Sequence, residues 1–327
     1  MNSITRRRFS AGAASAVSTF ALPGLARAQN YPARPVRLIV PFAAGGVGDV
    51  TARIAADKLG EKLGQRFVIE NQPGPGGILA GRAIAAAAPD GYTIGLLTNG
   101  TAISEAIYRS LPFRPTRDFA TISSLGFFDL VFATNASSQF RTLADVLARA
   151  REAPGKLNIG TTLVGGTQQL GAELLKSLAH VDIENVTYRN SPEIIVAVLR
   201  NDLALMTDFY AAITGQLQDG QLRAIATSGL ARSPFLPDVP TVAEAGVPGY
   251  EVTSWNALCA PARAPAAIVN LLNRTVREIL EAPELKAKYA ELGIETKASS
   301  PEELKARYEA DVNKWRDLID RAGIQKL

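Results

Sequence analysis

Between residues 36 and 63 the spacing of apolar positions changes from a continuous run to a helical period. Val36–Val40 is almost wholly apolar and has the length of a strand. After PFAAGGVG the apolar residues Ala52, Ala55, Ala56, Leu59 and Leu63 recur at helical spacing, with Arg53, Asp57, Lys58, Glu61 and Lys62 turned away from them. The pattern predicts a buried strand, a glycine-rich loop over residues 41–48, and a helix opening near Asp49 with one face on a sheet. A strand that hands a flexible backbone to a helix N-terminus makes an anion site. The first N–H groups have no intrahelical partner, and the dipole places about half a positive charge there. The loop is therefore expected to hold a carboxylate, chiefly through Gly45, Gly46 and Asp49; a plain strand-to-helix turn capped by Asp49 is the competing reading.

The same unit recurs along the chain. Strands are predicted at Phe67–Asn71, 92–97, 157–160, Glu184–Tyr188, 204–207 and Leu222–Thr227. Helices are predicted at 78–88, 102–108, 142–153, 168–179, from Pro192, at 211–217, 265–281 and 301–322. Ser300, Pro301 and Glu303 form a capping box at the last of these, whose apolar face is Leu304, Tyr308, Val312, Trp315 and Ile319. Alternation of strands and helices predicts an α/β class with a largely parallel sheet and a ligand crevice at the strands' carboxyl ends. Two further loops fall at such ends. One holds Thr98, Asn99 and Thr101; the other is the run TTLVGGT ending at Thr167. The mostly apolar stretch 120–134 and the extended segment 250–260 read as two crossovers between lobes, which makes the first lobe discontinuous. The expected boundaries are 29–128 with 251–327 for lobe 1 and 129–250 for lobe 2.

The chain opens with a segment that reads as an export leader. Thr5-Arg6-Arg7-Arg8-Phe9 fits a twin-arginine pattern, residues 10–22 are alanine-rich and apolar, and Ala26-Arg27-Ala28 fits a cleavage site, so residues 1–28 are expected to be removed and the protein to be periplasmic. Four of the 35 basic residues lie in that leader, which has no Asp or Glu; the remaining 31 balance the 31 acidic ones. A net charge of zero removes the case for nucleic acid or an anionic membrane as partner. Cys259 is the single cysteine and His180 the single histidine. These counts exclude an intrachain disulfide and multi-His or multi-Cys metal sites, and restrict His-dependent triads to His180. No G-x-S-x-G or H-E-x-x-H motif occurs.

Several stretches together resemble the substrate-binding proteins of tripartite tricarboxylate transporters, the Bug family of periplasmic receptors. They are Tyr31-Pro32 with VRLIVPFAAGGVGD, ENQPGPGG (70–77), PDGYT (89–93), GGTQQLGAELLKSLA (165–179), RSPFLPDVPTVAEAGVPGYE (232–251) and SWNALCAP (254–261). The resemblance implies a type II periplasmic binding protein fold of two lobes with two crossover strands. It also implies a small carboxylate ligand, no catalysis, no cofactor or metal, a membrane permease as partner and a monomeric receptor; a carboxylate sensor for a signalling partner is the alternative. Carried onto this chain, the ligand loops are 42–49, including Phe42, Ala43 and Ala44, and 163–169, including Leu163, Gly165, Gly166, Thr167 and Gln168. The family's helix opening usually has a His where this chain has Gln169, and its Gly before a serine is Asn190 here.

Asp208, at a strand end, has two readings: it bonds a ligand hydroxyl or ammonium, or it caps the next helix. Thr98, Asn99 and Thr101 are candidate donors to a carboxylate, although such residues also make ordinary turns. Trp255 reads as a core aromatic in preference to a cover for the ligand, His180 reads as structural, and Arg189 reads as a solvated surface residue in preference to a partner for a second carboxylate. A dinucleotide-binding enzyme is the remaining competitor, with Gly46 and Gly48 after a strand and Glu70 in place for a ribose. It is disfavoured by Thr51 at the third glycine position and by the four residues that separate strand and glycines.

Overall fold

Strand β1 (Val36–Val40) lies between β2 (Phe67–Asn71) and β3 (Thr93–Thr98), parallel to both. Helix α1 (Val47–Leu63) packs on them with Ala52, Ala55, Ala56 and Leu59 buried, the face that the periodicity predicts. The computed structural model describes residues 31–327 except Leu163, and the compact unit runs from Pro32 to Leu327. The proposed leader lies outside the described residues.

After a 3-10 turn at Pro75–Gly77 come α2 (Ile78–Ala86), β3, α3 (Asn99–Ile107) and the short α4 (Pro115–Asp118). The long strand β4 (Phe119–Asn135) is followed by α5 (Leu143–Glu152), β5 (Asn158–Thr162), α6 (Thr167–Ala179) and β6 (Glu184–Tyr188). Then come α7 (Ser191–Leu199), β7 (Leu205–Phe209), α8 (Tyr210–Gln218) and β8 (Leu222–Thr227). Strand β9 (Thr253–Pro261), α9 (Ala266–Leu280), α10 (Pro283–Glu291), β10 (Glu295–Thr296) and α11 (Pro301–Arg321) complete the order.

Strand order is β2-β1-β3-β9-β4-β7-β5-β6, with β8 and β10 also on β4. Strand β4 joins two groups of strands. Up to Asp129, opposite Thr253, it pairs antiparallel with β9; from Leu130 it pairs with β7, and from Val131 with β8. The chain re-enters the first group beside the same point, where Val252 N donates to Ser228 O at 2.8 Å. This is the two-lobed α/β architecture with two crossover strands. The sheet is mixed, however. The outer strands pair in parallel, whereas β4 and β9 run antiparallel to their neighbours, because two crossings in opposite directions must lie side by side.

The helices pack as their apolar faces dictate. Leu304, Tyr308, Val312, Trp315 and Ile319 of α11 are all buried, and the capping box at Ser300 and Glu303 is formed. Trp255 is fully buried, with Nε1 donating to Asp311 Oδ2 at 2.7 Å. His180 ends α6 in a left-handed conformation, and Arg189 is exposed beside Glu193. No described helix is long and apolar enough to cross a membrane.

Candidate functional site

Strands β1 and β3 run opposite to β5 and β7. Their carboxyl ends approach each other where β4 changes partners, Thr98 of β3 through Asn256 to Gly126 and Phe209 of β7 to Leu130. Each strand is followed within a few residues by a helix. On the first, Gly45 takes φ +93°, a conformation that favours glycine, and Gly46 is the N-cap of α1 in extended geometry with no side-chain cap. The helix thus begins at Val47, two residues before the predicted opening. Asp49 is its third residue rather than a cap. Its Oδ2 accepts from Gly45 N and from Arg53 Nε, both at 2.9 Å, and its Oδ1 accepts from Asn71 Nδ2 at 2.8 Å. Asn71 Nδ2 also donates to Phe42 O at 2.9 Å. Burial pushes the Asp49 carboxyl up, but the bonds from Arg53, Asn71 and Gly45 outweigh it and hold the carboxyl below its usual range. Both oxygens are committed, to the loop at Gly45, to α1 at Arg53 and to β2 at Asn71, so Asp49 locks the backbone. Phe42, Ala43, Ala44, Gly45 and Gly46 are left exposed.

The loop before α6 uses the same device. Gly165 takes φ +73°, and its N–H donates at 2.6 Å to Oε1 of Gln169, the third residue of the helix. Gly166 is the N-cap, extended and without a side-chain cap. In both loops the glycine N–H bonds the side chain four residues on, and the helix presents its first N–H groups uncapped. Gln169 therefore has a definite task here: it closes the loop. Leu163 lies outside the described residues.

Thr98 is not in a loop. It is the N-cap of α3, which starts at Asn99, and its Oγ1 accepts from Thr101 N at 3.3 Å while Thr101 Oγ1 accepts from Thr98 N at 3.4 Å. Thr101 is thereby committed to capping. Asn99 faces the second loop, with Nδ2 donating to Thr167 Oγ1 at 3.2 Å and Oδ1 accepting from Trp315 Nε1 at 3.0 Å. One residue along, Gln168 Nε2 donates to Asp208 Oδ1 at 3.2 Å. Asp208 belongs to β7 itself, and Phe209 N also donates to its Oδ1, at 2.8 Å.

Thr98, Asn99, Thr167, Gln168 and Asp208 thus form one connected row across the two strand groups. The first loop joins it through the pairing of β1 with β3, not through a side-chain bond. Among the buried side-chain atoms without a partner are Asp208 Oδ2 and Asn256 Nδ2, along with the hydroxyls of Thr207, next to Asp208, and Thr227. Asn256 sits opposite Thr98 in the β3–β9 register. An Asn inside the apolar run SWNALCAP was the one available signal for it. Glu70, the ribose candidate, is taken by Arg37, whose Nη2 lies at 2.7 Å. Among the described residues no group of three or more His, Cys, Asp or Glu is arranged to hold a metal ion.

Known proteins place the chain in a family. The family model described as the TctC tripartite tricarboxylate transporter family receptor matches residues 51–324. A Pseudomonas sp. (strain P51) protein, the UPF0065 protein of the tcbD-tcbE intergenic region, is 34% identical over 320 residues, 97% of this chain and 94% of that one. Among solved structures, Rpa4515 of R. palustris with adipate aligns with TM-score 0.81 at 34% identity, covering 91% of this chain and all of that one. MatC of Rhodopseudomonas palustris with bound malate aligns with TM-score 0.76 at 29% identity, covering 88% and 100%. This chain belongs to the tripartite tricarboxylate transporter receptor family.

Proposed function

We propose that this protein is a periplasmic receptor that captures a small organic carboxylate between its two strand groups and delivers it to the permease of a tripartite tricarboxylate transporter. The observation that carries this is the pair of glycine loops, Gly45-Gly46 and Gly165-Gly166, each leaving a helix N-terminus uncapped. They stand on opposite strand groups that meet through the Asn99–Thr167 bond. Uncapped N–H groups and the positive ends of two helices stabilise a carboxylate without any lysine or arginine at the anion. Phe42, Ala43, Ala44 and Gly45 supply the rim of the first jaw, with Asp49 holding it in shape. Thr98, Asn99, Gly165, Gly166, Thr167, Gln168 and Asp208 supply the second side, and Leu163 belongs with them by sequence. Adipate in Rpa4515 and malate in MatC support a dicarboxylate of modest size as ligand.

The lobes divide at 128/129 and 250/251. The change of β4 partners between Asp129 and Leu130, one residue further on, supports the first of these boundaries. Closure about these crossings distinguishes loaded from empty receptor, because a ligand shifts the balance only through its preference for one form. The receptor works as a monomer, without cofactor or nucleic acid, after export through the twin-arginine leader.

A thermal-shift screen with mono-, di- and tricarboxylates and aromatic acids tests this reading. A ligand at a hundredfold excess over its Kd adds about 2.7 kcal/mol of stability. No response to any carboxylate refutes it, and turnover of a hit detected by mass spectrometry makes the protein an enzyme instead.

A further inference from the structure

The carboxyl of Asp208 is only half used. The residue is 1% exposed, Oδ1 accepts from both Gln168 Nε2 and Phe209 N, and Oδ2 has no partner. The Ser191 hydroxyl lies close enough to favour the charged form, and no cation pairs with Asp208 among the described residues. Burial pushes this carboxyl up, against the nearby Ser191 hydroxyl and the bonds from Phe209 and Gln168. A buried oxygen with an open lone pair costs free energy unless something fills it.

Its position says what that something is. Gln168 is the second residue of α6, so the carboxyl stands beside the uncapped amides that attract a ligand carboxylate. A second anion-binding group is already present there in backbone form. What a carboxylate side chain adds beside these backbone donors is an open acceptor, the opposite chemistry. An acceptor beside an anion hole matches a ligand that carries an N–H or O–H on the carbon next to its carboxylate.

We propose that Asp208 Oδ2 accepts a hydrogen bond from a hydroxyl or ammonium on the ligand, so that the receptor selects hydroxy- or amino-substituted carboxylic acids over their plain counterparts. The selection rests on the carboxylate-receptor reading and narrows it. A plain acid leaves Oδ2 desolvated and unpaired, which is the situation in which polar sites discriminate strongly.

Calorimetric titration of matched sets tests this: succinate, malate and aspartate; glutarate, 2-hydroxyglutarate and glutamate; and the corresponding set for whichever chain length the screen finds. Malate against aspartate separates hydroxyl from ammonium. The expected result is that a substituted acid binds at least about tenfold tighter than its plain parent. In Asp208→Asn the amide oxygen can still accept from Gln168 and Phe209 while the new N–H₂ offers a donor. The preference should then shrink to about threefold or less. The comparison within the unaltered protein needs no variant, so a poorly folding Asp208→Asn does not rescue the idea. Equal binding of plain and substituted acids overturns it. So does tight binding of the plain acid with uptake of one proton, since the proton would then occupy Oδ2. Equal weakening of all acids in Asp208→Asn overturns it too, by reducing Asp208 to a structural part. In each of these results a carboxylate still binds, whereas silence from every acid removes the receptor reading itself.

Discussion

Gly46 and Gly48 stand one residue apart on the first turn of α1, yet they differ in what a side chain would meet. A Cβ on Gly48 would lie 2.5 Å from the ring of Phe42, an exposed side chain that would have to turn aside. A Cβ on Gly46 meets nothing within 4 Å, and its φ of −78° suits any residue. Gly46→Val is therefore expected to fold, losing about 1 kcal/mol or less of capping preference, while its bulk fills the space in front of the helix amides. Ligand affinity should drop by at least about tenfold at a nearly unchanged melting temperature. Unchanged affinity would take this loop out of the site. The glycines themselves were legible in the sequence, because few other reasons place them between a strand and a helix. The lock beneath them was not. Asp49 and Gln169 act as third residues of their helices, and seeing this requires the true helix starts at Val47 and Thr167, each at or before the predicted opening. Asn256 was hidden differently: in an apolar strand it reads as a core position, and only the register with Thr98 reveals its place.

Helices α3 and α11 show which elements a sequence displays. Helix α11 was readable along its length, since a capping box and a continuous apolar face agree. Helix α3 begins three residues before its apolar period, which opens only at Ala102, because Asn99, Gly100 and Thr101 carry the signature of turn formers. The two-residue β10 is too short to show a pattern, α10 buries only Leu285 and Tyr289 and so lacks a continuous apolar face, and the antiparallel pairing of β4 with β9 depends on residues far apart in the chain. The two helices are also joined directly, as Trp315 Nε1 holds Asn99 Oδ1 at 3.0 Å while Asn99 Nδ2 reaches Thr167. Trp315→Phe keeps an aromatic ring in the core but frees Asn99. It should cost about 1–3 kcal/mol and weaken ligand binding several-fold, to roughly a third or less. Ser300→Ala on the same helix removes the cap and costs about 1 kcal/mol with affinity unchanged. Equal effects on affinity from both variants would mean that α11 matters only through stability.

At the scale of the molecule, the place where β4 leaves one strand group for the other carries an acid. Asp129 pairs in register with Thr253, and the next residue, Leu130, pairs with Phe209 of the second group. A Cβ on Gly229 would lie 2.4 Å from Asp129 Oδ2, so the carboxyl packs directly on that backbone. It lines a cavity of about 540 Å³ together with Phe127, Leu230, Glu295 and Arg307. Burial is the main reason its pKa is pushed up to about 6; the bond from Thr253 lowers it, the nearby charges of Glu251 and Glu295 raise it, and Arg307 lowers it. Arg307 is shared with Glu251 and Asp311, and Lys314 is held by Glu251, so the cations of α11 do not serve Asp129 alone. For an acid whose pKa rises on folding, the folded state binds the proton more tightly than the unfolded one. Stability therefore falls as pH rises from about 4 to above 6, by about 1–3 kcal/mol for this group alone. Asp129→Asn removes that loss and keeps an oxygen for Thr253. Its melting temperature should exceed that of the unaltered protein at pH 8, with the gain shrinking to nothing near pH 4. A gain of the same size at both pH values would mean that Asp129 does not titrate in this range, and the crossover would then be insensitive to pH through this residue.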